Sequence, residues 1–417
     1  MERKAALVVA SIALATDMFV YGLAIPLLPQ IAVESGAGSG LVGLLFAVYA
    51  AALLLATPLV GWLVDRVGTR TPMLVGLLGL AMATLLFAFV DSLPALLAAR
   101  ALQGAAAAVA WVGGLGLVAA AYPAAERGKP MGIALSATGI GILIGPAAGG
   151  LLSEHFGVRV PFLVAAGVAA LDGLARLWLV RDVDHEPREV AARVWSHPSM
   201  PLLFLLTAVG AGLVAFLEPI LPLAAHSEHG ATSQTIGLMF TGAVIIGATV
   251  APFSGLLADR VPRGLLAASG AITAAAGLFV VSAADGLVMS AVGLALTVTG
   301  GQLVLTPTLV MIGDVADSRR PPAHGAAYAA YSLAYTTGLV IAPLAAGSGS
   351  GAFGFRGVTL IGGSIVAVLA IATVALTALL HVPHAKHARS PWGSHASAPV
   401  RVSADRSDAS VGCKESP

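Results

Sequence analysis

Charged residues are scarce in this sequence: Asp, Glu, Lys and Arg together make up 10% of its 417 residues. A soluble domain carries about 25%, so there are too few charges here to cover a globular surface of this size. The chain also has one cysteine, Cys413, which excludes an intrachain disulfide and a cysteine-based metal framework. We find no nucleotide-binding loop and no catalytic triad in the sequence. We therefore expect neither an enzyme, nor a metal site, nor a nucleic-acid partner.

In place of charge the sequence has long apolar runs, with 58% hydrophobic residues and a mean hydropathy of +0.91. An α-helix needs about 20 apolar residues to cross the ~30 Å hydrocarbon layer of a membrane. Charges and Gly/Pro clusters divide the chain into such runs, which predict an all-α polytopic membrane protein with 12 transmembrane helices. The predicted spans are 5–30, 41–64, 73–92, 94–121, 131–153, 159–180, 200–224, 233–258, 264–283, 287–313, 325–348 and 357–381.

The distribution of Lys and Arg predicts the orientation of the chain, because cytoplasmic loops carry an excess of these residues. If the N-terminus is cytoplasmic, most Lys and Arg outside the spans fall on that side, and only Arg159 and Arg356 fall on the other. We therefore predict an integral protein of a bacterial cytoplasmic (inner) membrane with both termini in the cytoplasm. The first apolar run continues to Pro29 without a cleavage site, so we interpret it as a spanning helix.

Segments of the first half of the chain recur in the second half at nearly the same offset. TPLVGWLVDRVGTR at 57–70 recurs as APFSGLLADRVPRG at 251–264, and IPLLP at 25–29 recurs as EPILP at 218–222. Transporters built from such repeats hold their substrate between the two repeats, near the middle of the membrane. The repeat thus predicts two six-helix bundles with a site between them.

The domain boundaries follow from this repeat. We predict an N-terminal six-helix bundle over 1–180 and a C-terminal six-helix bundle over 200–382. The charged segment 181–199 is a cytoplasmic linker in this organisation. The tail, 383–417, is rich in Ser, His and charge and is predicted to be a disordered cytoplasmic segment.

Three motifs, in order along the chain, resemble those of the major facilitator superfamily. The loop after the second span reads GWLVDRVGTR (61–70), similar to the G-x-L-x-D-R-x-G-x-R/K motif of that superfamily. The fourth span contains RALQG (100–104), which resembles the R-x-x-Q-G motif of its drug:proton antiporters. The fifth span, GIALSATGIGILIGPAAGG (132–150), has glycines at the spacing of the antiporter motif. The resemblance implies a major facilitator fold and covers about 380 residues of the chain.

Within the superfamily, the chain resembles the vesicular monoamine transporter branch and its bacterial relatives. DMFVYGLAIPLLP (17–29) is similar to that branch's Asp followed by P-x-x-P, and FLEPILPL (216–223) to its L-E-P-x-L-P. Residues 326–347 of the eleventh span resemble its Y-A-x-A-D segment. The chain has Ser332 and Gln302 where that branch has aspartates, and Tyr49 where it has a lysine.

The two acids inside apolar runs are the strongest candidates for a binding site. A carboxylate at the middle of a spanning helix costs roughly 2.5–3.5 kcal/mol on insertion scales, so Asp17 should face a cavity. Removal from water favours its neutral form and a bound cation favours its charged form, so a proton and a cationic substrate would compete for it. Glu218 aligns with Ile25 and not with Asp17, so the acids lie at different depths. The alternatives are a carboxyl bonded for helix packing at Asp17 and a solvated interfacial residue at Glu218.

Other polar and aromatic residues complete the predicted site. Tyrosines on the eleventh helix repeat at helical spacing and suit an organic cation through cation–π attraction of about 0.5–2 kcal/mol, although an interfacial aromatic belt is the alternative. Asp172 and Arg176, at i and i+4, are interpreted as a local ion pair outside the site. The predicted substrate- and proton-binding residues are Asp17, Glu218, Tyr21, Tyr49, Gln302, Tyr331, Ser332 and Tyr335.

A second set of residues is predicted to act in gating and coupling. Arg100 and Gln103 share one side of the fourth helix. The arginine would help to expel a proton from a nearby acid or brace the inner gate, and the alternative is a structural, hydrogen-bonding role. The resemblance implies that Asp65 helps to hold the cytoplasmic gate shut, and prolines and glycines permit hinges and close helix packing. The predicted gating and coupling residues are Asp65, Arg66, Arg70, Arg100, Gln103, Gly145, Pro146 and Pro219.

Together these features predict a monomeric, proton-coupled antiporter that exports organic cations, amines or drugs by alternating access. It would need no cofactor, because the proton gradient drives transport. The alternatives are a proton symporter or facilitator for a neutral solute such as a sugar, and a non-transporting membrane sensor that signals through its tail.

Overall fold

The computed structural model describes residues 3–68, 70–90, 92–123, 126, 128–179, 195–258, 260–318 and 324–379. These residues all belong to one compact unit. The predicted tail and residues 181–194 of the predicted linker lie outside the described residues. The helices are α1 (Arg3–Ala24), α2 (Leu28–Glu34), α3 (Ser39–Val67), α4 (Arg70–Phe89), α5 (Leu93–Ala121), α6 (Gly128–Phe156), α7 (Arg159–Leu179), α8 (Met200–Ala215), α9 (Leu221–His229), α10 (Ser233–Ala258), α11 (Arg263–Ser282), α12 (Leu287–Asp317) and α13 (His324–Leu379).

The helices confirm the all-α class. Within the described residues, nine helices are long and apolar enough to cross a membrane. The last predicted spans are joined in α13, which is two helices that meet at Gly354 with φ of 71°. The Gly/Ser-rich stretch before this residue had predicted a loop, but the chain stays helical until Gly354. A left-handed φ is accessible to glycine at little cost, so the turn is confined to this one residue.

Two predicted spans are each broken into a long and a short helix at corresponding places in the repeat. The first span is interrupted at 25–27 between α1 and α2, and the seventh at 216–220 between α8 and α9. In both cases the short helix has proline in its first turn, Pro29 in α2 and Pro222 in α9. Proline lacks the N–H that a helix interior requires but fits a first turn. Pro26 and Pro219 therefore end the long helices, and Pro29 and Pro222 begin the short ones.

The two halves of the repeat, α1–α7 and α8–α13, meet along two pairs of helices: α3 packs on α13, and α6 packs on α10. At the start of α3, Gly43 lies against the backbone of Pro343 and Gly347. Near the end of α6, Gly150 lies against the backbone of Ser233 and Gln234. These glycines allow the backbones of the two halves to approach closely.

These contacts close the end of the molecule that the Lys/Arg distribution predicts to be external. Hydrogen bonds that join the halves there include one from Ser233 Oγ to Gln30 Oε1 at 3.3 Å and one from Thr241 Oγ1 to the Leu143 carbonyl at 3.1 Å. The structure therefore represents a state that is closed on the predicted external side.

Glycines on one face of α6 bring that helix against α1. A Cβ at Gly145 would lie 2.8 Å from both the Leu23 nitrogen and the Phe19 carbonyl oxygen, which are backbone atoms that cannot move independently. We expect Gly145→Ala to force the helices apart and to lower stability by about 1–3 kcal/mol, seen as a lower midpoint of thermal unfolding in detergent.

Gly132→Ala on the same helix is the matched control. Among the described residues, no atom beyond the adjacent turns of its own helix lies within 4 Å of a Cβ built at Gly132, and alanine favours the helix over glycine by about 1 kcal/mol. The control should be neutral or slightly stabilising. Equal stability of the two variants would contradict tight α1–α6 packing.

Candidate functional site

Asp17, in the middle of α1, is fully buried. Trp111 Nε1, from α5, donates a hydrogen bond to Asp17 Oδ2 at 3.2 Å. Within the described residues, Oδ1 of the same carboxyl has no hydrogen-bond partner. A buried carboxylate with an unpaired oxygen and no ion-pair partner is costly unless it is protonated or meets a cation. The atom Oδ1 is therefore available to a proton or a ligand.

Trp111 was not among the predicted site residues, although the sequence contained a usable signal. It follows Arg100 by 11 residues, which is close to three helical turns and places both on one face of α5. Trp111 was not recognised as a site residue because a tryptophan in a spanning helix usually packs against other apolar residues or lies at the membrane interface. Its function here is to donate a hydrogen bond without bringing a charge.

Glu218 lies in the break between α8 and α9 and is 4% exposed. The Tyr21 hydroxyl donates a hydrogen bond to Glu218 Oε2 at 2.5 Å, and this bond joins the first half of the chain to the second. Among the described residues, no basic side chain lies within ion-pair distance of Glu218. The interpretation of Glu218 as a solvated interfacial residue is therefore wrong, because the carboxyl is enclosed between the two halves.

Arg100 is the largest fully buried side chain in the described structure and is surrounded by aromatic rings. Its guanidinium carbon lies 5.0 Å from the ring centre of Phe46, 5.4 Å from that of Tyr49 and 5.6 Å from that of Tyr21. Nη1 donates to Gln103 Oε1 at 2.7 Å, as the i, i+3 spacing predicts. Nε and Nη2 have no partner within the described residues. The charge is therefore held mainly by ring faces.

Tyr21 and Tyr49 connect the two acids with Arg100. Their ring centres are 4.9 Å apart, and both rings face the guanidinium. The Tyr49 hydroxyl is buried beside the Asp17 carboxyl without a well-formed hydrogen bond. The result is one continuous cluster on α1, α3 and α5 that reaches the second half at Glu218.

A cavity of about 230 Å³ lies in the second half, between α12 and α13. Tyr331 and Tyr335, with ring centres 6.3 Å apart, form one wall of the cavity. Gln302 lines it, whereas the predicted site residue Ser332 is exposed and does not. The complete lining is Gln302, Leu305, Thr306, Leu309, Tyr331 and Tyr335.

The predicted gating residues fall into two groups in the structure. Asp65, Arg66 and Arg70 are exposed around the end of α3 and the start of α4, where the Arg66 guanidinium lies 4.6 Å from the ring centre of Trp62. Gly145, Pro146 and Pro219 are buried, the first two on the face of α6 that meets α1. The exposed group is therefore separate from the buried acids.

The predicted local ion pair on α7 is present and is almost completely buried. Arg176 Nε donates to Asp172 Oδ1 at 3.1 Å, and Nη2 bonds the second oxygen. The two side chains are 3% and 2% exposed. Arg176 also lies close enough to Asp17 to interact with it electrostatically. The ion pair thus lies next to the site, although the sequence analysis had placed it outside.

Comparison with known proteins agrees with this architecture. The profile of the Major Facilitator Superfamily matches residues 10–320 and, separately, 202–404. The overlap of the matches is what an internal repeat would give. In fold, the chain is similar to the crystal structure of a bacterial homolog of the human lysosomal transporter Spinster in an inward-facing and occupied conformation. That similarity has a TM-score of 0.79 at 14% identity, and covers 91% of this chain and 98% of the other.

Curated relatives share more sequence. The synaptic vesicular amine transporter of Rattus norvegicus is 31% identical over 334 residues, which are 77% of this chain and 64% of the rat protein. The probable vesicular acetylcholine transporter-B of Danio rerio is 31% identical over 363 residues, which are 83% of this chain and 74% of the zebrafish protein. The chain spans a little less than two thirds of the length of the rat relative. With the superfamily profile and the helical membrane fold, these matches show that the chain is an integral membrane protein that belongs to the Major Facilitator Superfamily.

Proposed function

We propose that this transporter is a proton-coupled antiporter that exports organic cations, amines or drugs from the cytoplasm. The observation that carries the proposal is the pair of buried carboxyls, Asp17 and Glu218, each bonded to a neutral aromatic donor and lacking an ion-pair partner among the described residues. Relatives named as amine and acetylcholine transporters support the substrate class.

The chemistry follows from competition for the same oxygen atoms. A buried carboxyl is stable when it is protonated or when a cation neutralises it, and a single site cannot hold both at once. Facing outside, the acids would take up protons and release the cation. Facing the cytoplasm, they would release protons and bind the next cation. Rocking of one half against the other would then exchange the two ligands across the membrane.

The aromatic cluster and the cavity suit the organic part of such a substrate. Tyr331 and Tyr335 offer ring faces at the cavity wall, while Gln302 offers an amide for hydrogen bonding. The charge of Arg100 favours release of the proton from Glu218. The proton gradient of a bacterial inner membrane would be the driving force, with cytoplasmic termini, a monomeric carrier and no cofactor.

The test is uptake by proteoliposomes with an acidic lumen, using tetraphenylphosphonium, whose fixed charge prevents trapping by protonation, together with a panel of aromatic amines. We expect uptake that nigericin abolishes by collapsing the pH gradient. Glu218→Gln should lower the coupled rate about 10- to 100-fold, because a neutral amide neither exchanges a proton nor neutralises a cation.

Glu34→Gln on α2 is the matched control, since Glu34 is exposed and the same carboxylate-to-amide change there should leave uptake unaltered. Protein-free liposomes correct for passive entry. Gradient-driven uptake that survives Glu218→Gln would contradict the role of Glu218 in exchange. Uptake of a neutral sugar together with protons would instead support the symporter alternative.

A further inference from the structure

The hydrogen bond between Tyr21 and Glu218 connects the two halves of the transporter near its closed end. Tyr21 lies in α1 of the first half and Glu218 in the α8–α9 break of the second, 197 residues apart in sequence. Both side chains are buried, at 9% and 4% exposure. The break that holds Glu218 leads directly into α9, which contacts α2 of the other half. A change at this bond therefore acts where the halves must separate to open outward.

The groups that surround Glu218 show which contact depends on its charge. Glu218 interacts electrostatically with Tyr21 from α1, Tyr49 from α3, Arg100 from α5 and Tyr335 from α13. Of these, Tyr21 makes the hydrogen bond that the structure shows to the carboxyl. The Tyr21 ring also packs on Tyr49 with 4.9 Å between ring centres, which fixes the direction of its hydroxyl.

A phenol that donates to an ionised carboxylate makes a charge-assisted bond, about twice as strong as the neutral equivalent. The bond is therefore strong when Glu218 is charged and empty, and weak when Glu218 is protonated. A substrate cation that binds the same oxygen atoms would displace it. An antiporter must not reorient while its carboxyl is charged and empty. It must be able to reorient when a proton or a cation is bound.

Resting on the proposed function, we propose that Tyr21 is a positioning residue that latches the external end shut while Glu218 is charged and unoccupied. The latch keeps an empty carrier facing the cytoplasm and releases the halves when a proton or a cation binds Glu218. It thereby prevents the return of an empty carrier, which would dissipate the proton gradient without exporting substrate.

Spin-label distances across the closed end test this latch without a substrate. Labels at Glu34→Cys on α2 and Glu228→Cys on α9, in a Cys413→Ser background, report opening between the halves of the reconstituted full chain. We expect short distances to dominate at pH 9 and longer distances to grow at pH 5. Tyr21→Phe should lower the closed-to-open ratio at pH 9 about tenfold and remove most of its pH dependence.

Two further variants complete the test. Glu218→Gln should reproduce the effect of Tyr21→Phe, and the double variant should add little, because both single changes remove the same charge-assisted bond. Tyr122→Phe, which removes an exposed tyrosine hydroxyl that bonds the Arg3 carbonyl at 3.1 Å, should leave the distances and their pH dependence unchanged.

The latch is overturned if Tyr21→Phe keeps the native pH dependence, or if it shifts the ratio equally at both pH values, as a merely structural bond would. It is also overturned if the native chain shows no pH-dependent opening. Failure of the proposed function is a separate result: it requires that Glu218→Gln leave gradient-driven uptake intact. A latch that fails while Glu218→Gln still abolishes uptake leaves the antiport mechanism standing.

Discussion

Replacement of Asp17 by asparagine is expected to abolish gradient-driven cation transport while making the protein more stable. Asparagine keeps the shape of the side chain and an oxygen that can accept the Trp111 hydrogen bond, so the local structure should persist. It has no exchangeable carboxyl proton and no charge for a cation. We expect the coupled rate to fall about 100-fold, which corresponds to loss of a charged hydrogen-bonded contact of ~3 kcal/mol.

The gain in stability has the same physical cause as the loss of function. Asp17 is fully buried and one of its oxygens has no hydrogen-bond partner among the described residues. Its charged form therefore opposes folding, and the neutral amide removes that cost. Thermal unfolding in detergent at neutral pH should show a midpoint raised by a few degrees. Loss of transport with a lowered midpoint would indicate misfolding in place of a lost exchange site.

Asp285→Asn is the matched control for this experiment. Asp285 lies on the surface, with its side chain 86% exposed, and bonds Arg356 at 3.2 Å. Exposed ion pairs contribute about 0–1 kcal/mol, so the variant should change neither transport nor stability by more than a small amount. Transport by Asp17→Asn at the level of this control would exclude the acid-exchange mechanism at Asp17.

The sequence predicted the parts of the fold that depend on local chemistry. Apolar length predicted the spanning helices, and Pro219 predicted a hinge in the seventh span, whereas the break in the first span between α1 and α2 was not predicted. These signals are local, because proline removes a backbone donor wherever the chain goes next. The merged α13 was missed because a Gly/Ser-rich stretch resembles a loop even where it remains helical as far as Gly354.

The site was only partly predictable, since its contacts depend on which helices meet. The rarity of acids in spanning helices was sufficient to find Asp17 and Glu218. Trp111 was missed, and Tyr21 was predicted as a site residue but not as the donor to Glu218. A helix that is apolar on all sides gives no pattern to show which face meets another segment. Phe46, which lies beside the Arg100 guanidinium, has no sequence signal that separates it from other buried phenylalanines.

Removal of Arg176 is expected to destabilise the protein more than any surface substitution. Arg176 and Asp172 form a bidentate ion pair with both side chains nearly excluded from solvent. Arg176→Leu would leave the Asp172 charge buried without its partner, at a cost of about 3–5 kcal/mol. The measurement is thermal unfolding in detergent of Arg176→Leu, Asp172→Leu and the double variant.

The double variant is the informative one, because a buried ion pair gains little over apolar residues of similar volume. We expect Asp172→Leu/Arg176→Leu to recover most of the stability that each single change loses, giving a coupling energy of roughly 2 kcal/mol or more. Simple addition of the two single losses would contradict the pairing. Arg176 also interacts electrostatically with Asp17. The double variant should therefore fold but show an altered rate of gradient-driven uptake. That outcome would extend the exchange site to α7, whereas native transport rates in the double variant would limit the pair to a structural role.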